Sequence, residues 1–92
     1  MIQSTKGKRA GDAVQNNYKG FPADLVRRTQ ALLTALNGAA HINDLRSPPG
    51  NRLKKLKDNR QGQYSLRIND QWRICFVWTP NGPANVEIVD YH

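Results

Sequence analysis

The stretch Gln63-Tyr64-Ser65-Leu66-Arg67-Ile68, Asn69-Asp70-Gln71 and Trp72-Arg73-Ile74-Cys75-Phe76-Val77-Trp78 decides the fold. Residues 63–68 alternate polar and apolar side chains, the period of a half-buried strand, because successive strand residues face opposite sides of a sheet. Residues 72–78 alternate again, with apolar residues on both faces. Asn69-Asp70 between them is a natural two-residue turn. This stretch therefore reads as an antiparallel hairpin. Downstream, Pro80-Asn81-Gly82-Pro83 makes another turn, and a last strand runs through Val86 and Ile88 to Tyr91-His92.

Upstream the period changes. Leu25, Thr29, Leu32 and Leu36 recur at helical spacing, and Val26 and Leu33 widen the stripe. Pro22 suits a first helical position, Asp24 favours the positive end of the dipole, and Asn37-Gly38 supplies a stop. A helix is predicted over 22–37, and a shorter one over 39–45 before Ser47-Pro48-Pro49-Gly50, which no helix continues through. Residues 5–20, polar and glycine-containing, read as a loop, flexible and with a helical turn around 13–18. A short strand is expected at 1–4 and another between Leu53 and Leu56. Helices first and hairpin-linked strands afterwards give an α+β class, an antiparallel sheet with helices on one face.

Ninety-two residues fit one domain, 1–92, and exclude dinucleotide-binding folds and large barrels. No apolar run approaches the roughly 18–20 residues that cross a bilayer, and the first ten residues lack a secretory apolar region. The single cysteine, Cys75, makes no internal disulfide and sits in an alternating run, so it is expected to pack rather than react. A cytoplasmic protein is expected.

Charge is placed unevenly. The net charge is +7, yet residues 46–73 alone carry eight cations (Arg46, Arg52, Lys54, Lys55, Lys57, Arg60, Arg67, Arg73) against Asp58 and Asp70. Residues 74–92 carry only Glu87 and Asp90. Such a concentration is the electrostatic footprint of a polyanion binder. It lacks the apolar face of a membrane anchor.

Metal and nucleotide chemistry find no support. One cysteine, two histidines and seven scattered carboxylates make no ligand pattern, and no glycine loop stands between a strand and a helix. RNA cleavage needs neither. A base takes the 2′-OH proton, an acid protonates the departing 5′-oxygen, and Lys or Arg stabilises charge on the phosphoryl oxygens. Val89-Asp90-Tyr91-His92 brings a carboxylate, a phenol and an imidazole together at the chain end. Imidazole, with a reference pKa of about 6.5, is the usual proton carrier near neutrality. His41 is expected to be solvated, and Trp72 and Trp78 to be core or sheet-face aromatics.

Three pieces read together are similar to one family: Ser47-Pro48-Pro49-Gly50-Asn51-Arg52-Leu53, then Arg67-Ile68-Asn69-Asp70-Gln71-Trp72-Arg73-Ile74, then Glu87 with Val89-Asp90-Tyr91-His92. The pattern, over about residues 20–92, resembles the HigB group of bacterial toxins, including the GraT-type, in the RelE superfamily. The resemblance implies a RelE-like domain with two N-terminal helices on an antiparallel sheet. It implies a toxin that cleaves mRNA in the ribosomal A site without a cofactor. Its implied partners are the ribosome, mRNA and a HigA-like helix-turn-helix antitoxin, with operator DNA reached only through that antitoxin.

By position, Lys57, Arg73, Asp90, Tyr91 and His92 match residues used in HigB-like active sites. Arg73 and Lys57 then fall to the scissile phosphate and His92 to proton transfer. Tyr91 positions or stacks on the RNA, and Asp90 supports His92; which group is base and which acid stays open. Arg52, Lys54, Lys55, Arg60 and Arg67 are expected to contact RNA or ribosome. The sequence departs from the family at Lys54, where some members carry histidine, and at Asp58, where glycine is common. The alternatives are a noncatalytic RNA- or ribosome-binding protein and a ribonuclease acting without the ribosome.

Overall fold

A computed structural model describes residues 1–90; Tyr91 and His92 lie outside the described residues. Two α-helices, α1 (Lys8–Val14) and α2 (Val26–Gly38), precede four strands. These are β1 (Lys54–Lys55), β2 (Gln63–Arg67), β3 (Trp72–Thr79) and β4 (Gly82–Asp90), in the spatial order β1-β2-β3-β4. Every neighbouring pair is antiparallel.

Helix α2 buries Thr29, Leu32, Leu33 and Leu36, the stripe expected from a 3.6-residue period. Against it lie Leu66, Ile74, Phe76, Val86 and Ile88, which share one sheet face. The chain enters α2 through a 3₁₀ turn, Ala23–Leu25, closed by the Leu25 N–H on the Pro22 carbonyl at 3.0 Å. The helix expected over 39–45 is a 3₁₀ turn, Ile42–Arg46. The Asp44 carboxylate holds its start, accepting from the N–H groups of Ala40 and His41 at 3.0 and 3.1 Å. His41 is exposed, as expected.

Residues 5–20 differ from the loop reading, because α1 lies within them. Its buried face is only Ala10 and Ala13, too small to register as an apolar stripe. A turn follows it, with the N–H groups of Gln15 and Asn16 donating to the Asp12 and Ala13 carbonyls at 3.0 and 2.9 Å, and Asn16 takes a left-handed φ of 63°. Ahead of α1, residues 1–6 run along β4: Val86 donates to Ser4, and Lys6 donates to Val86, at 3.0 and 2.9 Å. The contact is a single parallel bridge, Thr5↔Val86, in place of the strand expected at 1–4.

The β2–β3 connection is wider than the two residues expected. The last paired positions are Arg67↔Arg73, and the Asn69 side-chain oxygen accepts from the N–H groups of Gln71 and Trp72 at 2.9 and 2.7 Å. The Asn69 side chain thus replaces a strand partner, as Asx turns do. The β3–β4 turn is tighter than expected. Thr79 pairs with Gly82, leaving Pro80-Asn81 as the loop and Pro83 inside the strand. Gly82, at φ 126°, is required there, since a Cβ would stand 2.4 Å from the Met1 carbonyl oxygen.

Candidate RNA-contacting face

Strand register separates two faces. Residues 64, 66, 74, 76 and 88 turn to the helices, so their neighbours in sequence turn away. One row on the outer face runs Lys54↔Ser65↔Cys75↔Glu87 across all four strands. The next runs Arg67↔Arg73↔Val89. The basic residues of 46–73 are therefore not spread evenly: Lys54, Arg67 and Arg73 converge on the side the helices leave open.

Cys75 and Leu56 are buried yet outside the helix-side core. Burial pushes the Cys75 thiol above its ordinary pKa, although the nearby Arg60 charge pulls the other way. It is a packing residue of the outer layer, as its sequence context indicated. Over this floor, Arg60 Nη1 donates to Glu87 Oε1 at 3.0 Å and to Gln63 Oε1 at 3.2 Å. Arg60 accordingly anchors the segment after β1 to the sheet. Together β1 and that segment, Lys54–Arg60, line a shallow groove of about 480 Å³ with Lys54, Lys55 and Lys57 on its walls. Leu56, whose N–H donates to the Gln63 carbonyl at 2.8 Å, fixes its base.

Two backbone positions shape this rim. Asp58 sits at φ 57°, in the left-handed region that glycine enters freely and aspartate tolerates. Arg52 is also left-handed, at φ 47°. Its loop is held from below by Asn51, whose amide donates to the carbonyls of Leu45 and Ser47 at 3.3 and 3.2 Å. Arg28 of α2 completes that support, donating to Asn51 Oδ1, the Gly50 carbonyl and the Arg67 carbonyl at 3.3, 3.0 and 2.9 Å. Arg28 had no signal in its own helix; its role arises from partners 22 to 39 residues away.

Asp90 lies on the other side of the strand. It pairs with Trp72 in register, and its carboxylate accepts from Gln71 Nε2 at 3.2 Å. Trp72 itself packs edge-on to Phe21 at 5.3 Å, with the Arg9 guanidinium 4.8 Å from its ring centroid, on the helix side. Trp78 is likewise packed on the core. Both tryptophans are sheet-face aromatics, as expected. Arg73 and Asp90 are thus not brought together on one face, and the places of Tyr91 and His92 lie outside the described residues. No group of three or more metal-ligating side chains forms among the described residues, and no helix there is long and apolar enough to cross a membrane.

Comparison with solved structures supports the fold. The chain superposes on the YoeB–YefM complex from Staphylococcus aureus with a TM-score of 0.61 at 22% identity, covering 100% of this chain and 98% of that one. At the sequence level it is 42% identical to Toxin HigB-1 of Vibrio cholerae, over 82% of this chain and 78% of that protein. It is 33% identical to Endoribonuclease HigB of Proteus vulgaris across 100% of both chains. The family model described as the RelE-like toxin of type II toxin-antitoxin system HigB matches residues 13–92. The chain belongs to that HigB-like toxin family.

Proposed function

We propose that this toxin is an endoribonuclease that cuts mRNA in the A site of the translating ribosome, without a metal, and is neutralised by a helix-turn-helix antitoxin. The observation that carries the reading is the opposition of Arg67 and Arg73 on the open sheet face, beside Lys54 and the lysine-lined groove. A cluster of cations from separate segments suits a phosphodiester whose charge grows in the transition state. The Proteus vulgaris relative, named as an endoribonuclease, supports the same chemistry.

In this reading the 2′-oxygen attacks the adjacent phosphorus, the P–O5′ bond breaks, and a 2′,3′-cyclic phosphate and a 5′-hydroxyl result. The 2′ proton passes to a base, and another proton reaches O5′ from an acid; His92 serves one of these transfers. Arg73 and Lys57 hold the phosphoryl oxygens. Tyr91 positions the RNA, and Asp90, held by Gln71 on the Trp72 side, supports the chain end rather than meeting phosphate. Arg52, Lys54, Lys55 and Arg67 meet the RNA backbone or ribosome. Arg60, already paired with Glu87, contributes by fixing the groove.

The test is to map the ends of mRNA fragments made in a translation reaction. Fragments with 5′-hydroxyl ends at ribosome-occupied codons are expected. Ends bearing 5′-phosphate overturn the 2′-OH route, and binding without cleavage favours a noncatalytic ribosome-binding protein.

A further inference from the structure

One of the outer-face cations, Arg67, is paired with an exposed carboxylate. Asp70 projects from the β2–β3 turn, and its side chain is 97% exposed. The turn that presents it is fixed independently, by the two hydrogen bonds that Asn69 accepts. The Asp70 carboxylate pairs with the Arg67 guanidinium. The charges of Arg73 and Arg52 also act on it, and together these cations, Arg67 first, draw its carboxyl below the ordinary range. Arg67 of β2, paired with Asp70, stands opposite Arg73 of β3 in register, and the charge of Arg52 from the proline loop also reaches the turn. Arg28 fixes two of those segments to each other, bonding both the Gly50 carbonyl and the Arg67 carbonyl. The partner that Arg67 holds is an exposed oxyanion on a short, fixed turn.

We propose that Arg52, Arg67 and Arg73 form a phosphate-exchange site whose resident counter-ion is Asp70. An incoming phosphodiester takes the place of the carboxylate, and Arg67 transfers its hydrogen bond from Asp70 to a phosphate oxygen. Asp70 thereby sets a threshold: a polyanion must offer the cluster more than its own turn does. Anions held only by charge, without the geometry to engage Arg67, Arg52 and Arg73 together, are disfavoured. The inference rests on the RNA reading above for its natural ligand, but the exchange itself requires only a phosphate.

Asp70→Asn tests it, with Asp24→Asn as a control that makes the same change in net charge ahead of α2. Two probes are titrated at several salt concentrations: a single-stranded RNA oligonucleotide and inorganic tripolyphosphate. Asp70→Asn is expected to bind both about tenfold more tightly, and Asp24→Asn less than about twofold. The logarithmic salt slope for RNA should steepen by about 0.7 in Asp70→Asn, as one internal counter-ion is removed. Equal effects of the two variants would reduce the result to net charge and overturn the proposal. Weaker binding by Asp70→Asn would also overturn it, making the carboxylate a support for Arg67. If neither variant nor the parent binds tripolyphosphate, the site does not exist. Tighter tripolyphosphate binding with no RNA binding would uphold the exchange, and the mapping of mRNA ends above decides the RNA reading separately.

Discussion

Arg60 and Glu87 join the two ends of the outer face. The Arg60 guanidinium, in the segment after β1, donates to the Glu87 carboxylate of β4 at 3.0 Å, and Gln63 of β2 accepts from the same nitrogen. One side chain therefore spans the sheet above Ser65 and Cys75, both buried. The pair is half-buried, with 30% and 24% of the two side chains exposed, so solvent screens it only in part.

Glu87→Gln is expected to lower folding stability by about 1 kcal/mol, the scale of a partly screened pair. Arg60→Ala should cost less in the Glu87→Gln background than alone, because the two act as a unit. A double-mutant cycle by urea unfolding measures this. Additive losses would show that the pair contributes no coupling.

Arg73→Ala should fold normally and lose a hundredfold or more of its cleavage rate, since a transition-state electrostatic contact is worth about 2.7–4 kcal/mol. Growth inhibition on induction, alongside the thermal midpoint of the purified protein, provides the readout. Full toxicity from a folded Arg73→Ala chain would take Arg73 out of the site.

The helical stripe and the hairpins were legible because each burial pattern repeats within a few residues. Leu32 and Leu36 of α2, and Leu66 and Ile74 across β2 and β3, are all buried where periodicity places them. Helix α1 escaped because Ala10 and Ala13 bury little area and Gly11 between them argues for a loop. The width of the β2–β3 turn escaped for another reason: Asn69 satisfies two backbone N–H groups with its side chain, which the Asn-Asp pair alone does not reveal. For the site, the charge concentration in 46–73 was plain, but register decides which cations meet. It opposes Arg67 to Arg73 and sends Asp90 to the side of Trp72. Arg28 and Asn51 carry no local signature, since their partners come together only in the folded chain.

Asp44 gives a pH dependence with a definite sign. Hydrogen bonds from the N–H groups of His41 and Ala40 hold its carboxyl below the ordinary range. A depressed folded-state pKa stabilises the protein above the unfolded value, and that contribution is lost as pH falls through the folded value. Asp44→Asn should therefore be less stable than the parent at neutral pH. The difference should narrow below about pH 4, where an unfolded-state aspartate begins to protonate. Urea midpoints measured from pH 7 to pH 3 test this; a gap that stays constant would assign the effect to packing instead of charge.

Phe76, fully buried at the centre of β3 and stacked on Tyr64 at 6.0 Å, is the core residue whose loss should be felt most. Phe76→Ala is expected to cost about 3–5 kcal/mol through lost burial and a residual cavity. Denaturant unfolding measures the loss, and a value under about 1 kcal/mol would mean that the two sheet faces are not packed as described.

The central claim is that the open basic face cuts RNA presented by the ribosome, and its most direct test is the cleavage rate of one mRNA with and without ribosomes. The wild-type protein is predicted to cut ribosome-bound mRNA and to leave the same mRNA intact when ribosomes are omitted, with Arg73→Ala inactive in both. Equal cleavage of naked and ribosome-bound mRNA, or no cleavage in either, would contradict it.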